Sequence, residues 1–253
     1  MNSDGSTIAW MKSKGEYLEG YRGGRAENNG FQVAPGSERT TVGINFWDRL
    51  FIINTPNVPG GKMGVLLMDT QGLWDPSTDN EMNCCTYGLS CVLSSYLIAN
   101  NMGVVTTEFM KCMATLTQFS NYVPSQGKQA SSSEISKCSF QHLEILIRDH
   151  PNINSELTDV KCCLDEGRKQ QIELETASGF CGPTSEIKSC FQSFGVTCFS
   201  HPGCINNPGF SGRMDEIKPL FLLAMGHYIE KLFCELQPRT IDGVALTGDR
   251  FIK

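Results

Sequence analysis

The sequence predicts an α/β domain built around a mostly parallel sheet. Short apolar runs of strand-forming residues alternate along the chain with longer segments at helical spacing, and this alternation is typical of α/β folds. The length of 253 residues suits one large domain or two small ones. The content of 40% hydrophobic and 19% charged residues is that of an ordinary globular chain.

Four segments read as strands. Residues 46–53 are rich in β-formers and lead into a Pro- and Gly-rich turn at 55–61. Residues 63–68 form a continuous apolar run, as expected of a strand covered on both faces, and together these segments predict an antiparallel hairpin. Two more strands are predicted at 143–147 and 194–199, and alternation with helices makes most of the sheet parallel.

Three segments read as helices, over residues 82–101, over 106–120 and from Ile217 onward. In the last, Pro219 is acceptable only in the first turn. Residues 82–107 carry no formal charge, but several Asn and Ser residues interrupt them, so we expect a half-buried helix and no membrane span. The remaining segments are a polar stretch at 1–30, a surface loop at 124–136 and helix or loop over 156–192.

Charge and cysteine content exclude some functional classes. The 27 acidic residues outnumber the 21 basic ones, and a net charge of −6 argues against nucleic-acid binding. The 12 cysteines show no C-x-x-C pair, and the first residues do not resemble a secretory signal. We therefore interpret the cysteines as reduced thiols in a cytoplasmic protein. A thiol or metal module is a minor alternative, since no ligand spacing supports it.

Polar residues follow three of the predicted strands. They are Asp69-Thr70-Gln71-Gly72, Arg148-Asp149 and Ser200-His201-Pro202-Gly203. Open α/β sheets bind ligands at the carboxyl ends of their strands. An Asp followed by a Gly fits a Mg²⁺–phosphate site, and a Thr in the loop at 37–44 would complete the shell of the metal. Each motif alone is equally well explained as a turn or a surface ion pair, but their joint order is harder to obtain by chance.

The same motifs, in the same order, resemble the G domain of the atlastins. These belong with the guanylate-binding proteins among the dynamin-like large GTPases. The resemblance covers residues 31–253, and Asp-Thr-Gln-Gly and Arg-Asp place the chain nearest the atlastin branch. It implies a three-layer P-loop GTPase-like domain that binds GTP or GDP with Mg²⁺.

The resemblance also implies a role for each residue of the motifs. Thr41 and Asp69 are expected to hold Mg²⁺, while Thr41 and Gln71 occupy catalytic positions. Gly72 is expected to face the γ-phosphate. Arg148 and Asp149 correspond to the pair that selects guanine, because a buried carboxylate accepts hydrogen bonds that adenine does not offer. The segment His201, Pro202 and Gly203 corresponds to the loop that caps the base.

The sequence departs from the family at the phosphate side. It contains no G-x-x-x-x-G-K-[ST] motif: Gly61-Lys62 is followed by Met63, and Gly127-Lys128 by Gln129. The phosphates would lose their backbone cradle, a lysine and one Mg²⁺ ligand. Residues 31–253 are therefore predicted to be an incomplete G domain without its first strand and P-loop, which leaves two neighbouring strands without a partner.

Two functions follow from this combination. The first is a GTP-binding domain whose hydrolysis, in relatives, serves membrane fusion and organisation at the cytosolic face of the endoplasmic reticulum, with a homodimer formed through the G domain. The second is a degenerate pseudo-GTPase that acts as an interaction module, paired with an intact paralogue. The absent P-loop leaves GTP hydrolysis by this chain an open question.

Overall fold

The computed structural model describes residue 31 and the ranges 41–47, 50–56, 58–72, 79–125, 140–203, 210–211, 213–241 and 244–248. The elements, in chain order, are β1 (Ile44–Phe46), β2 (Phe51–Asn54), β3 (Lys62–Val65), β4 (Met68–Thr70), α1 (Asn80–Leu93), β5 (Tyr96–Met102), α2 (Thr107–Ser125), β6 (Phe140–Arg148), α3 (Lys161–Thr176), α4 (Cys181–Cys190), β7 (Phe191–Cys198), α5 (Pro219–Glu235), β8 (Thr240–Ile241) and β9 (Val244–Ala245).

A parallel sheet in the order β5-β6-β7 forms the centre of the fold. Along the middle strand, Leu143, Ile145 and Ile147 point to one face and are fully buried. Glu144, on the opposite face, is equally buried. Both faces of β6 are covered, which is typical of a central parallel strand, although Gln141, His142 and Glu144 interrupt its apolar residues. The α/β fold class is therefore confirmed, and the strands predicted at 143–147 and 194–199 correspond to β6 and β7.

The predicted hairpin is confirmed, but it is shorter than expected. β2 and β3 pair antiparallel, with Ile53 opposite Met63. The segments at 46–53 and 63–68 each contribute to a second pair as well, since β1 pairs antiparallel with β4. The change of partner falls at Leu66 and Leu67, and the Trp47 amide donates to the Leu67 carbonyl at 3.0 Å. An unbroken apolar run carries no sign of such a change.

The helix predicted at 82–101 is wrong in its second half. α1 begins after Asp79, whose carboxylate accepts from the Met82 amide at 2.7 Å, and it ends at Leu93. Both the amide and the hydroxyl of Ser94 bond to the Ser90 carbonyl, which closes the last turn. Residues 96–102 form β5 instead, because pairing with β6 outweighs an apolar spacing that suits either structure.

The other helices agree with the sequence. α2 covers the segment predicted at 106–120 and continues into the segment expected to be a loop, of which residues 126–139 lie outside the described ranges. α3 and α4 lie within the segment 156–192, whose last two residues begin β7, and Pro219 occupies the first turn of α5 as expected. In the ranges that the structure describes, no helix is long and apolar enough to cross a membrane. The segment 1–30, and with it any strand before β1, lies outside those ranges.

A buried carboxylate ties the three parallel strands together. Glu144 of β6 accepts from the Thr197 hydroxyl of β7 and, at 3.4 Å, from the Tyr96 hydroxyl of β5. The His142 Nε2 lies 3.1 Å from the same carboxylate. Gly195 stands opposite Glu144 in β7, and a Cβ there would overlap the carboxylate. Burial and the neighbouring Glu144 charge raise the pKa of Tyr96 far above its usual range.

Candidate functional site

The carboxyl end of β6 carries a backbone conformation that is rare for a residue with a side chain. Asp149, the first residue after β6, has a φ of 58°, in the left-handed region. It is the only non-glycine residue with a positive φ among the residues described. This conformation costs on the order of 1 kcal/mol in the absence of support, although Asp adopts it more readily than most residues, and strained residues cluster at functional sites.

Hydrogen bonds to both neighbouring strands hold the backbone on either side of Asp149. The Arg148 carbonyl accepts from the Gly103 amide, just past β5, at 2.8 Å. The His150 amide donates to the Phe199 carbonyl at 2.9 Å, and the Phe199 amide returns a bond to Ile147 at 2.8 Å. The segment that follows β6 is thus fastened to the segments that follow β5 and β7.

The side chains of Arg148 and Asp149 differ in exposure. The Asp149 side chain is 16% exposed and the Arg148 side chain 45%, with Nη1 of the arginine 3.4 Å from Oδ2 of the aspartate. The carboxylate is therefore neutralised by an adjacent guanidinium and is open on one side. A carboxylate in this state accepts two N–H donors arranged side by side, as an amidine-like edge of a ligand presents them.

The segment predicted to cap the base follows β7 at the carboxyl end of the parallel strands, and it is fixed to the start of α5. The Gly203 amide donates to His201 Nδ1 at 2.9 Å, and Gly203 has a φ of 102°. The Lys218 amide donates to the Pro202 carbonyl at 2.9 Å. The positive φ favours glycine here, and a Cβ would in addition lie 3.1 Å from the Lys218 side chain, which would have to shift slightly. Residues 204–209 lie outside the described ranges.

The residues predicted to hold Mg²⁺ meet across the β1–β4 pair. The Thr41 hydroxyl donates to Asp69 Oδ2 at 2.6 Å. The Gly43 backbone amide donates to Gln71 Oε1 at 2.9 Å, and the backbone amide of Gln71 donates to the Gly43 carbonyl at 2.9 Å. The expected juxtaposition of Thr41, Asp69 and Gln71 is therefore present. Asp69 lies inside β4, however, and not beyond the end of a parallel strand.

Gln71 and Gly72 differ in their surroundings. Gln71 is 3% exposed, and its Nε2 has no hydrogen-bond partner among the described residues. Gly72 is exposed, and a Cβ built on it would meet open space. A buried donor without a partner is uncommon in folded proteins and often marks a ligand site or an ordered water. The pair thus offers an amide side chain and an approachable backbone beside Asp69.

The donor set at Thr41 and Asp69 fits Mg²⁺. Both offer hard oxygen atoms, which this cation prefers. No group of three or more His, Cys, Asp and Glu residues that could hold a metal occurs in the described part of the chain. Mg²⁺ commonly takes one or two protein ligands and completes its shell with water and phosphate oxygens. Such an ion would therefore be bound here together with a phosphate ligand.

Sequence reasoning missed the residues that lie behind Asp149. The His150 side chain is 1% exposed, and its Nε2 lies 3.8 Å from Oε1 of Glu166 on α3. Its Nδ1 accepts from the Asn152 amide at 3.3 Å, and Asn152 Nδ2 donates to Glu166 Oε1 at 3.2 Å. Lys169 Nζ lies 3.3 Å from the other Glu166 oxygen. Neither His150, which directly follows Arg148-Asp149, nor Glu166 belongs to a motif that singles it out in the sequence.

Burial governs the protonation of this group. Burial lowers the pKa of His150, although Glu166 and Glu173 act in the opposite direction. Burial also tends to raise the pKa of Glu166, but hydrogen bonds from Asn152 and Lys169 outweigh it, and the pKa lies below the usual value. The stable combination near neutral pH is a neutral imidazole beside an ionised carboxylate.

The cysteines behave as small apolar residues. The ten cysteines in the described ranges are free thiols, among them Cys91, Cys163 and Cys198 in the core. Burial raises the pKa of each of these three to about 12. Thiols with such values are protonated and unreactive.

Comparison with known proteins identifies the family. The family described as guanylate-binding protein, N-terminal domain, matches residues 11–240. Atlastin-1 of Pongo abelii is 30% identical over 230 residues, which are 87% of this chain and 38% of the relative. Atlastin-2 of Homo sapiens is 29% identical over 227 residues, 87% of this chain and 36% of the relative. The atlastin of Drosophila melanogaster is 28% identical over 252 residues, 95% of this chain and 41% of the relative.

These matches cover most of this chain but only about two fifths of the length of the curated relatives. The resemblance seen in the motifs is confirmed, and with it the predicted fold class. The chain belongs to the family of guanylate-binding protein N-terminal domains and is a GTPase-type domain of the dynamin-like class.

Proposed function

We propose that this chain binds guanine nucleotides at the carboxyl end of β6 and β7, with Asp149 as the residue that selects the base. The observation that carries the proposal is the left-handed Asp149, held between backbone bonds to the ends of β5 and β7. A fold that keeps an unfavourable backbone angle at a partly exposed carboxylate gains something other than stability from it.

Guanine matches this carboxylate chemically. Its N1–H and its 2-amino group lie side by side, and each donates to one carboxylate oxygen. Adenine has no N1–H and no 2-amino group, so it would leave the carboxylate unpaired in a partly desolvated position. A site that hydrogen-bonds a ligand rejects analogues that lack the donors by a large factor. Arg148 lies along one side of the base in this arrangement, and the segment His201, Pro202 and Gly203 covers it.

On the phosphate side, Thr41 and Asp69 would hold Mg²⁺ together with phosphate oxygens. The ion, when bound, would neutralise the negative charge of the phosphates. The Gly72 amide is open to a terminal phosphate. The unpartnered Nε2 of Gln71 is the donor that this residue offers to a phosphate oxygen or a water molecule. Its Oε1 is already bonded to the Gly43 amide, so the side chain is oriented in advance.

GTP hydrolysis requires more of the phosphate side than nucleotide binding does. The printed sequence has no G-x-x-x-x-G-K-[ST] motif, and that loop supplies a lysine and a backbone cradle to the phosphates. Guanine-nucleotide binding is therefore the primary function we propose, with GTP hydrolysis dependent on what supports the phosphates. The absent motif also favours a second candidate, a pseudo-GTPase interaction module that pairs with an intact paralogue.

For the whole protein, we propose the role suggested by its likeness to atlastins. The domain would form a homodimer across its nucleotide-binding face and act at the cytosolic face of the endoplasmic reticulum in membrane fusion or organisation. Release of phosphate from GTP by the whole protein tests this role directly, and its absence would favour the pseudo-GTPase.

The decisive experiment is a titration of fluorescent GTP into the purified chain with Mg²⁺, with ATP in parallel. We expect GTP to bind more tightly than ATP, and Asp149→Asn to lose at least about tenfold in affinity for GTP because charged hydrogen bonds are lost. Asp165→Asn is the matched control, since Asp165 is an exposed carboxylate on α3. Equal binding of GTP and ATP, or an unaffected Asp149→Asn, would refute the base site.

The pseudo-GTPase has its own test. A pull-down of an intact relative with the purified chain, in the presence of GDP, GTP or no nucleotide, should recover the relative in at least one of these states. No association in any state would exclude the interaction module.

A further inference from the structure

We infer that His150 and Glu166 are positioning residues for Asp149, and that they set the preference of the site for guanine over bases without the 2-amino group. This inference rests on the proposed guanine-nucleotide binding. Neither residue belongs to the motifs that the chain shares with its relatives, and neither is placed to touch the base. They act through the backbone and through a buried polar cluster.

The first step concerns the backbone. A left-handed aspartate relaxes readily toward an ordinary angle unless the residues on both sides are fixed. On the preceding side, Arg148 is the last residue of β6 and is bonded to Gly103. On the following side, among the residues described, the His150 amide bond to the Phe199 carbonyl connects this segment to the one that follows β7. The orientation of Asp149 therefore depends on how firmly His150 is held.

The His150 ring lies between Asn152 and Glu166. It is almost completely buried and faces Glu166 of α3, with Nε2 3.8 Å from Oε1. Because Nδ1 accepts from the Asn152 amide, the neutral ring carries its proton on Nε2, on the side of the carboxylate. Asn152 Nδ2 donates to Glu166 at 3.2 Å, so one hydrogen bond links the helix to the segment after β6, with the His150 ring close to the same carboxylate.

Glu166 anchors this group to α3. Glu166 lies where α3 packs closely on the sheet, since a Cβ at the next residue, Gly167, would lie 3.0 Å from the Val196 carbonyl of β7. The Glu166 side chain is 8% exposed, and its pKa is below the usual value, which keeps it ionised. A rigid helix thus presents a buried charge to the residue that follows Asp149.

The consequence is a prediction about selectivity. With Asp149 correctly oriented, both carboxylate oxygens are engaged by guanine, one by N1–H and one by the 2-amino group. Hypoxanthine offers N1–H but not the amino group. A carboxylate that is no longer aligned with the base cannot engage both donors at once, so the advantage that the 2-amino group gives to GDP over IDP falls. A general loss of stability would instead weaken binding of both nucleotides alike.

The test compares Glu166→Gln, His150→Gln and the control Asp165→Asn in the full chain. Asp165 lies next to Glu166 on α3, but its carboxylate is 43% exposed and pairs with Arg168. The affinities for GDP and IDP are measured by titration. We expect the ratio of the two affinities to fall by about tenfold in both test variants, the size of one lost charge-assisted hydrogen bond, and to stay unchanged in the control. An unchanged ratio in Glu166→Gln and His150→Gln would overturn the inference.

A second measurement does not depend on nucleotide. The exchange rate of the His150 amide hydrogen reports directly on its bond to Phe199. We expect faster exchange in Glu166→Gln than in the wild type, with core amides of β6 unchanged, and no effect of Asp165→Asn. If the wild type binds no nucleotide, the proposed function fails while this measurement still decides the positioning role. Unchanged exchange of the His150 amide would overturn it.

Discussion

Replacing Asp149 by glycine and by alanine measures the backbone constraint at the base site. Both variants remove the carboxylate and its contact with Arg148, so the difference between them isolates the backbone. A residue with a Cβ loses about 1–2 kcal/mol in the left-handed region. Glycine avoids that penalty but loses about 0.5–1 kcal/mol more backbone entropy on folding. At the observed φ of 58°, we therefore expect Asp149→Gly to be more stable than Asp149→Ala by about 0.5–1 kcal/mol.

Urea unfolding, followed by circular dichroism, provides the assay. The control pair is Lys111→Gly and Lys111→Ala, at an exposed position inside α2. There the order must be reversed, with alanine more stable by about 1 kcal/mol because glycine disfavours helices. If alanine is as stable as glycine at position 149, then Asp149 does not occupy the left-handed region in solution. The argument for a strained base-recognition residue would then be refuted.

Three further predictions follow from contacts described above. Gly195→Ala should destabilise the chain by about 1–3 kcal/mol in urea unfolding, because its Cβ would overlap the Glu144 carboxylate. Gly182→Ala is the control and should not destabilise it, since a Cβ there meets open space. Equal stability of the two variants would contradict this packing. Because burial lowers the pKa of His150, its contribution to stability is complete above the ordinary histidine pKa of about 6.5 and is lost as the pH falls. The loss of unfolding free energy between about pH 7.5 and pH 5.5 should therefore be smaller in His150→Gln than in the wild type. An equal loss in both proteins would exclude a lowered pKa at His150. Thr41→Ala should reduce the gain in GTP affinity that Mg²⁺ provides, while Thr41→Ser preserves it, and an equal gain in all three proteins would remove Thr41 from the metal site.

Much of the fold could be predicted because the signals were local. The apolar runs of β6 and β7 and the periodic face of α5 are strong patterns, and Pro219 marks the start of its helix. The second half of the helix predicted at 82–101 failed for the opposite reason. Residues 96–102 have a spacing compatible with either structure, and pairing with β6, more than forty residues away in sequence, decides between them.

Some residues of the candidate site could be placed from local sequence, and others could not. Arg148 ends β6, Asp149 follows it, and the segment 201–203 comes after β7, so their position at the carboxyl end of the sheet could be anticipated. Asp69 could not be placed correctly, because the apolar run before it conceals a change of partner from β2 to β1. His150 and Glu166 escaped notice because their role depends on α3 packing against β7, a contact between distant segments.

The carboxylate buried in the sheet also has a consequence for how the chain folds. The aliphatic residues of parallel strands do little to distinguish one alignment from another shifted by two residues, since the same face stays buried. Glu144 is opposite Gly195, and the neighbouring residues on that face of β7 are Ser193 and Thr197. A shift of β7 by two residues in either direction would place the Cβ of Ser193 or Thr197 opposite the charge and change its contact with Thr197. Glu144 therefore selects one alignment of the strands and penalises the others during assembly.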